Sequence, residues 1–192
     1  MKYKIWGHST DPKLCCLNPP ENIEDAFELN YGISRKEDFP SNALIRMNKE
    51  YKTAIKLADA LDNINFLIVA SKRLKEFFEA LKIPNIEYLR VKILNHKNRI
   101  ASDEYFIVHQ VGTQDCIDLK HSVVTWNKIN PDQISSVKSL ILDEARVQPE
   151  ASLFRAKHLP SVIFIRQDLA TKIEEAGFTG IVFKNIETFT QV

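Results

Sequence analysis

The chain has 192 residues, 44% of them apolar and 27% charged, and its formal net charge is only +1. That length and apolar content suit a chain that folds alone around a real core, as one large domain or two small ones. A charge so near balance supplies no global field to draw in nucleic acid or an anionic membrane.

The opening segment, MKYKIWGHSTDPKLCC, carries lysines, but Gly7, His8, Asp11 and Pro12 interrupt it before an apolar run of signal-peptide length develops. No stretch approaches the roughly 18 apolar residues of a membrane span. The expectation is a soluble cytoplasmic protein without a membrane partner. Cys15, Cys16 and Cys116 are an odd number, and the adjacent pair would need a strained vicinal disulfide to join. They read as small packing residues or ordinary thiols of a reducing compartment.

In chain order, residues 2–6 suit an opening strand. Pro19 and Pro20, followed by Glu21, Glu24, Asp25 and Glu28, suggest a short acidic helix, because proline fits a first turn and carboxylates suit a positive helix end. Ile23, Ala26 and Phe27 would be its inner face, and the four carboxylates a compact negative strip. Residues 48–61 place Tyr51, Ala54, Ile55, Ala58 and Leu61 at three- and four-residue intervals, which predicts an amphipathic helix.

Residues 66–88 then read as strand, helix and strand. Ser71 stands in the N-cap position, Leu74, Phe77, Phe78 and Leu81 point inward, and Pro84–Asn85 makes the turn. Residues 87–94 and 104–111 predict a hairpin around a polar tip. Residues 115–119 and 137–142 are candidate third and fourth strands. Residues 161–183, SVIFIRQDLATKIEEAGFTGIVF, repeat the strand-helix-strand order: an apolar run from Val162 to Ile165, helical spacing at Leu169, Ile173 and Ala176, closure at Gly177, and a last run beyond Gly180. With an offset of 95 residues, Val69 falls on Phe164, Leu74 on Leu169, Phe78 on Ile173 and Asn85 on Gly180. Such matching arises from duplication, or from one chain reusing a common supersecondary motif.

Chemistry has few footholds. Asp115, Cys116, Asp118, His121 and Ser122 bring a nucleophile, a base and carboxylates within eight residues, but a strand would turn Cys116 and Asp118 away from Asp115. The simpler reading is a strand ending in a turn capped by Asp118 and Ser122. The five histidines show no metal-ligand spacing, and the five glycines make no phosphate-binding loop, so no metal or cofactor is expected. Arg90, Lys92, His96, Lys97 and Arg99 gather at the hairpin, near Tyr88, Tyr105 and Phe106, which could stack on bases; a solvated hairpin tip is the commoner explanation of such a cluster.

The elements FLIVASKRLKEFFEAL, IEYLRVKI, YFIV, DCIDLKHS, LILD, FR and IFIRQDLATKIEEAGFTGIVF, taken together, resemble a bacterial immunity-protein family of polymorphic toxin systems, the eleventh in the usual numbering. The resemblance spans roughly residues 65–183. It implies a protein that binds and neutralises a cognate toxin, and carries no catalytic signature. A toxin acting on nucleic acid would present a basic cleft, for which Glu21, Glu24, Asp25 and Glu28 are the candidate interface.

The expected fold is α+β, an antiparallel or mixed sheet flanked by helices and containing two similar strand-helix-strand units. Residues 1–64 would form an irregular, helical N-terminal part and residues 65–192 the body, in one continuous domain. The expected function is non-catalytic toxin binding in the cytoplasm, with no nucleic-acid partner. The alternatives are a small enzyme centred on Cys116 and His121, a nucleic-acid binder centred on residues 90–99, and an adaptor.

Overall fold

A computed structural model describes residues 2–191. In chain order its strands are β1 (Tyr3–His8), β2 (Cys16–Glu21), β3 (Leu44–Met47), β4 (Ala60–Asn63) and β5 (Ile68–Ser71). Helix α1 (Lys72–Ala80) follows, then β6 (Ile86–Leu94), β7 (Ile100–Gln110), β8 (Val123–Trp126), β9 (Ile134–Ser139), β10 (Leu153–Ala156) and β11 (Leu159–Arg166). Helix α2 (Gln167–Glu175) and β12 (Ile181–Asn185) complete the order.

The architecture overturns the α+β expectation. The protein is mostly β, and its largest element is a closed six-stranded barrel in the order β2-β3-β6-β7-β5-β4. Antiparallel pairs make most of the barrel, but β3 runs parallel to β6, and a short parallel contact between β2 and β4 closes the ring. Strands β10-β11-β1-β12 form a four-stranded sheet beside it, and β8 and β9 form a separate hairpin.

Two predicted helices are absent. Pro19 and Pro20 lie within β2, at an irregularity in its pairing with β3, where their missing donors do no harm. Asn48 caps a single 3₁₀ turn, Lys49–Tyr51, by accepting from the Glu50 amide. Beyond it the chain is captured by distant backbone: Cys15 donates to the Lys56 carbonyl, Lys56 donates to Lys13, and Ala60 and Leu61 pair with Ala70 and Val69. Tyr51 and Ile55, expected to face inward, are exposed, and a helix would have left the barrel unclosed. Residues 115–119 form only an isolated bridge between Ile117 and Leu142, and β8 escaped the sequence reading altogether.

The two strand-helix-strand units form where the spacing puts them, with a shared topology. Strands β5 and β6 flank β7, and β11 and β12 flank β1, with the middle strand antiparallel in both. Helices α1 and α2 begin and end 95 residues apart, as do the starts of β6 and β12. The registers coincide too. Ser71 pairs with Tyr105 as Arg166 pairs with Tyr3, and Ile86 pairs with Gln110 as Ile181 pairs with His8. Even the turns agree, since Lys82 and Asn85 have positive φ where Gly177 and Gly180 do.

This repetition organises the core. Val69, Tyr105 and Ile107 point into the barrel, while their counterparts Phe164, Tyr3 and Ile5 point into the core beneath the four-stranded sheet. The opposite faces meet in a third core of matched positions: Ile68 with Ile163, Ala70 with Ile165, Leu74 with Leu169, Phe78 with Ile173, and Val108 with Trp6. Each fully buried Leu or Phe there contributes about 2–3 kcal/mol by removal from water. Asp59 ties the same joint from its edge. It accepts from the Thr179 amide at 2.9 Å, the Thr179 hydroxyl at 2.8 Å and the Ser71 hydroxyl at 3.0 Å, and pairs with Arg73 at 3.1 Å. No helix among the described residues is long and apolar enough to cross a membrane.

Candidate functional site

The four carboxylates of the acidic strip do not share a helix face, because they lie on a strand end, a loop and a 3₁₀ turn. Glu21 ends β2 and pairs with Arg46 at 2.8 Å. Glu28 sits in the 3₁₀ turn Ala26–Asn30 and pairs with Arg35 at 2.9 Å. Arg35 is almost wholly buried and gathers the segment around itself: its Nη1 donates to the Glu24 carbonyl and its Nε to Asp38. Two of the four charges are therefore neutralised internally. Glu24 and Asp25 project into solvent with no ion pair among the described residues.

Beside these two lies a patch that sequence reasoning missed. Phe27 is 60% exposed, Ile64 55% and Phe66 53%, and together with Tyr31 they line one shallow depression. Phe27 and Tyr31 meet edge to face at 6.2 Å between ring centres. Soluble surfaces rarely gather large apolar side chains in this way without a partner.

The patch is held firmly from below. Buried Asn63 accepts from the Asn65 and Leu67 amides and donates to the Leu67 carbonyl, which folds residues 63–67 into a tight turn. Asn30 donates to the Asn65 carbonyl at 2.9 Å, joining the Phe27 turn to the Phe66 turn. Phe66 adopts φ 55°, a left-handed conformation that costs a bulky residue about 1–2 kcal/mol. Arg155, only 1% exposed, donates from Nη2 to the Phe66 carbonyl at 2.6 Å and from Nη1 to the Pro160 carbonyl. Burial pushes its pKa down to about 9, which leaves it charged at neutral pH. The signal available in the sequence was the run Asn63-Ile64-Asn65-Phe66, in which turn-forming asparagines alternate with apolar side chains.

The cysteine-histidine cluster does not assemble. Cys116 has no exposed surface, and burial pushes its thiol up to about 12, so it is a packed, protonated side chain. His121 is exposed and meets Asp118 at 2.6 Å rather than the thiol. Asp118 also caps the turn through the Lys120 and His121 amides; the His121 contact, foremost, holds its carboxyl below the usual range. Among the described residues, no three His, Cys, Asp or Glu side chains are placed to hold a metal ion.

The basic hairpin residues separate as well. Arg90 pairs with Asp103. His96, Lys97 and Arg99 instead turn toward Lys49 and Lys52, some fifty residues earlier in the chain, and line a cleft with them.

The comparisons with known proteins say which class of protein carries these surfaces. A family model described as the immunity protein family Imm11 matches residues 5–188, so the chain belongs to that family. The match takes in the strands of the N-terminal third, which the sequence resemblance had left outside. A search of the curated proteins found no match.

Proposed function

We propose that this protein binds a cognate bacterial toxin domain in the cytoplasm and neutralises it without catalysis, and that the aromatic patch with its carboxylate edge is the surface it uses. The observation that carries this reading is the patch itself: Phe27, Tyr31, Ile64 and Phe66 exposed together, and braced rather than loose, beside the unpaired charges of Glu24 and Asp25. Aromatic anchors in a rigid setting supply most of the energy of typical interfaces, and charges at the edge speed encounter and choose the partner. Glu21 and Glu28 belong to the same acidic strip, but serve it by ordering the loop through Arg46 and Arg35. The family supports a toxin as the partner. Three free cysteines support a reducing compartment.

The test co-expresses a cognate toxin domain, sought first among the products of neighbouring genes, with the wild-type or altered chain. Replacing Glu24 and Asp25 by lysine leaves the internal ion pairs intact, and should slow association about tenfold at low salt and flatten its salt dependence. Replacing Phe66 by alanine should speed dissociation and abolish protection. Unchanged kinetics in both variants would move the interface elsewhere, while binding without protection would favour the adaptor reading.

A further inference from the structure

At one end of the barrel the core is incompletely covered. Met47 is buried at the end of β3, and Leu57 and Ala101 pack against the barrel core, yet all three line an open cleft of about 800 Å³ together with the exposed side chain of Ile55. The cleft walls come from segments far apart in sequence. One is the Lys49–Tyr51 turn, and the other is the tip of the β6–β7 hairpin.

The two walls are fastened together. Asn95 accepts from the Lys97 and Arg99 amides, which shapes the hairpin tip, and the His96 Nε2 lies 3.0 Å from the Asn48 carbonyl oxygen. Lys49, Lys52, Lys97 and Arg99 thereby converge on one opening. No carboxylate lines the cleft, and none of these four side chains forms an ion pair among the described residues. Elsewhere Arg46, Arg73, Arg90, Arg146 and Arg166 each meet an aspartate or glutamate. With the chain as a whole near neutrality, this is a local excess of positive charge over an aliphatic lining.

We infer that the cleft binds an acidic peptide segment whose aliphatic side chains enter the barrel end while its carboxylates meet the lysines and Arg99. Charge complementarity selects the anion, and the lining selects a peptide. Single-stranded nucleic acid is held by rings on which bases stack. Here the only ring in the lining among the described residues is His96, already engaged with Asn48. Aliphatic surface next to unpaired cations fits leucine or isoleucine beside glutamate or aspartate. The volume falls within the range of ordinary ligand pockets and admits a few side chains.

The site involves none of the residues of the proposed toxin surface, so the two readings stand or fall separately. The test is fluorescence anisotropy of the full chain with a labelled eight-residue peptide alternating glutamate and leucine. A glutamate-serine peptide and an eight-nucleotide oligothymidine serve as comparisons. The glutamate-leucine peptide should bind saturably and more tightly than either. Lys52→Glu combined with Lys97→Glu should weaken it at least about tenfold, and Ile55→Ser about tenfold through lost apolar contact. All three positions are exposed, so the fold should survive, and circular dichroism checks that. Absent saturable binding, binding indifferent to the lysine reversals, or oligothymidine binding as tightly with no effect of Ile55→Ser would each overturn the proposal.

Discussion

Arg155 and Phe66 are 89 residues apart in the chain, and the buried guanidinium of one holds the backbone carbonyl of the other at 2.6 Å. A cation with no carboxylate partner among the described residues thus fixes a strained turn that displays an aromatic ring to solvent. Arg155→Met keeps the volume but leaves the Phe66 and Pro160 carbonyls unsatisfied, and should cost about 2–4 kcal/mol in urea unfolding. Because the loss is concentrated at the patch, hydrogen exchange should quicken first in residues 63–67. Uniform loss of protection across the chain would show that Arg155 serves only global packing.

The matched turns predict opposite outcomes for opposite substitutions. Gly180 has φ 82°, and an added Cβ would lie 2.1 Å from the Ala60 carbonyl oxygen, so Gly180→Ala should lose about 3 kcal/mol or more. Gly177 has φ 64° with open space around it, so Gly177→Ala should lose only about 1 kcal/mol. Its counterpart Lys82 has φ 50°, and Lys82→Gly should gain about 0.5–1 kcal/mol by relieving the same conformation. Thermal denaturation of the three variants checks the order.

Asp59 should give the joint between the two units an acid-sensitive component. Desolvation pushes its carboxyl up, but the Thr179 amide and hydroxyl, the Ser71 hydroxyl and the Arg73 charge together outweigh it and hold the pKa below the ordinary value. The unfolded chain therefore takes up this proton first as pH falls. The stabilisation is complete above the unfolded value of about 3.9 and is lost as pH drops through the lower folded value. At pH 7, Asp59→Asn should cost about 1–3 kcal/mol, since an amide nitrogen would face donors. Denaturant titrations of wild type and variant should draw together as pH falls below the unfolded value; a gap that stays constant across the acid range would assign the effect to packing.

Thiol labelling should separate the three cysteines. Cys15 and Cys116 are buried, and desolvation pushes both thiols up to about 12, whereas Cys16 is half-buried. In native buffer at pH 8 a disulfide reagent should consume one thiol slowly and reach all three only in denaturant. Rapid native labelling of Cys116 would favour the enzyme reading.

Local signals carried much of what was legible in the sequence. Ser71 caps α1, Leu74 and Phe78 give its inner face, Gly177 closes α2, and the apolar runs around the 95–99 turn pair as β6 and β7. Each of these depends on residues within a few positions of one another. The match between the two units was also visible as a spacing, and the family resemblance rested on the same elements. What tertiary structure alone decided involves distant backbone and distant charge. Ala60 and Leu61 became strand because β5 lay ready to pair with them, although their spacing suits a helix. Glu21 and Glu28 became internal partners because Arg46 and Arg35 arrive beside them, which left Glu24 and Asp25 as the free edge. Phe66 left the expected strand because Arg155 and Asn63 hold its turn open, and Lys49 and Lys52 joined Lys97 and Arg99 only when the barrel closed. Periodicity records which side chains a segment would bury, but only the closed barrel determines which backbone and which counter-charge each one meets.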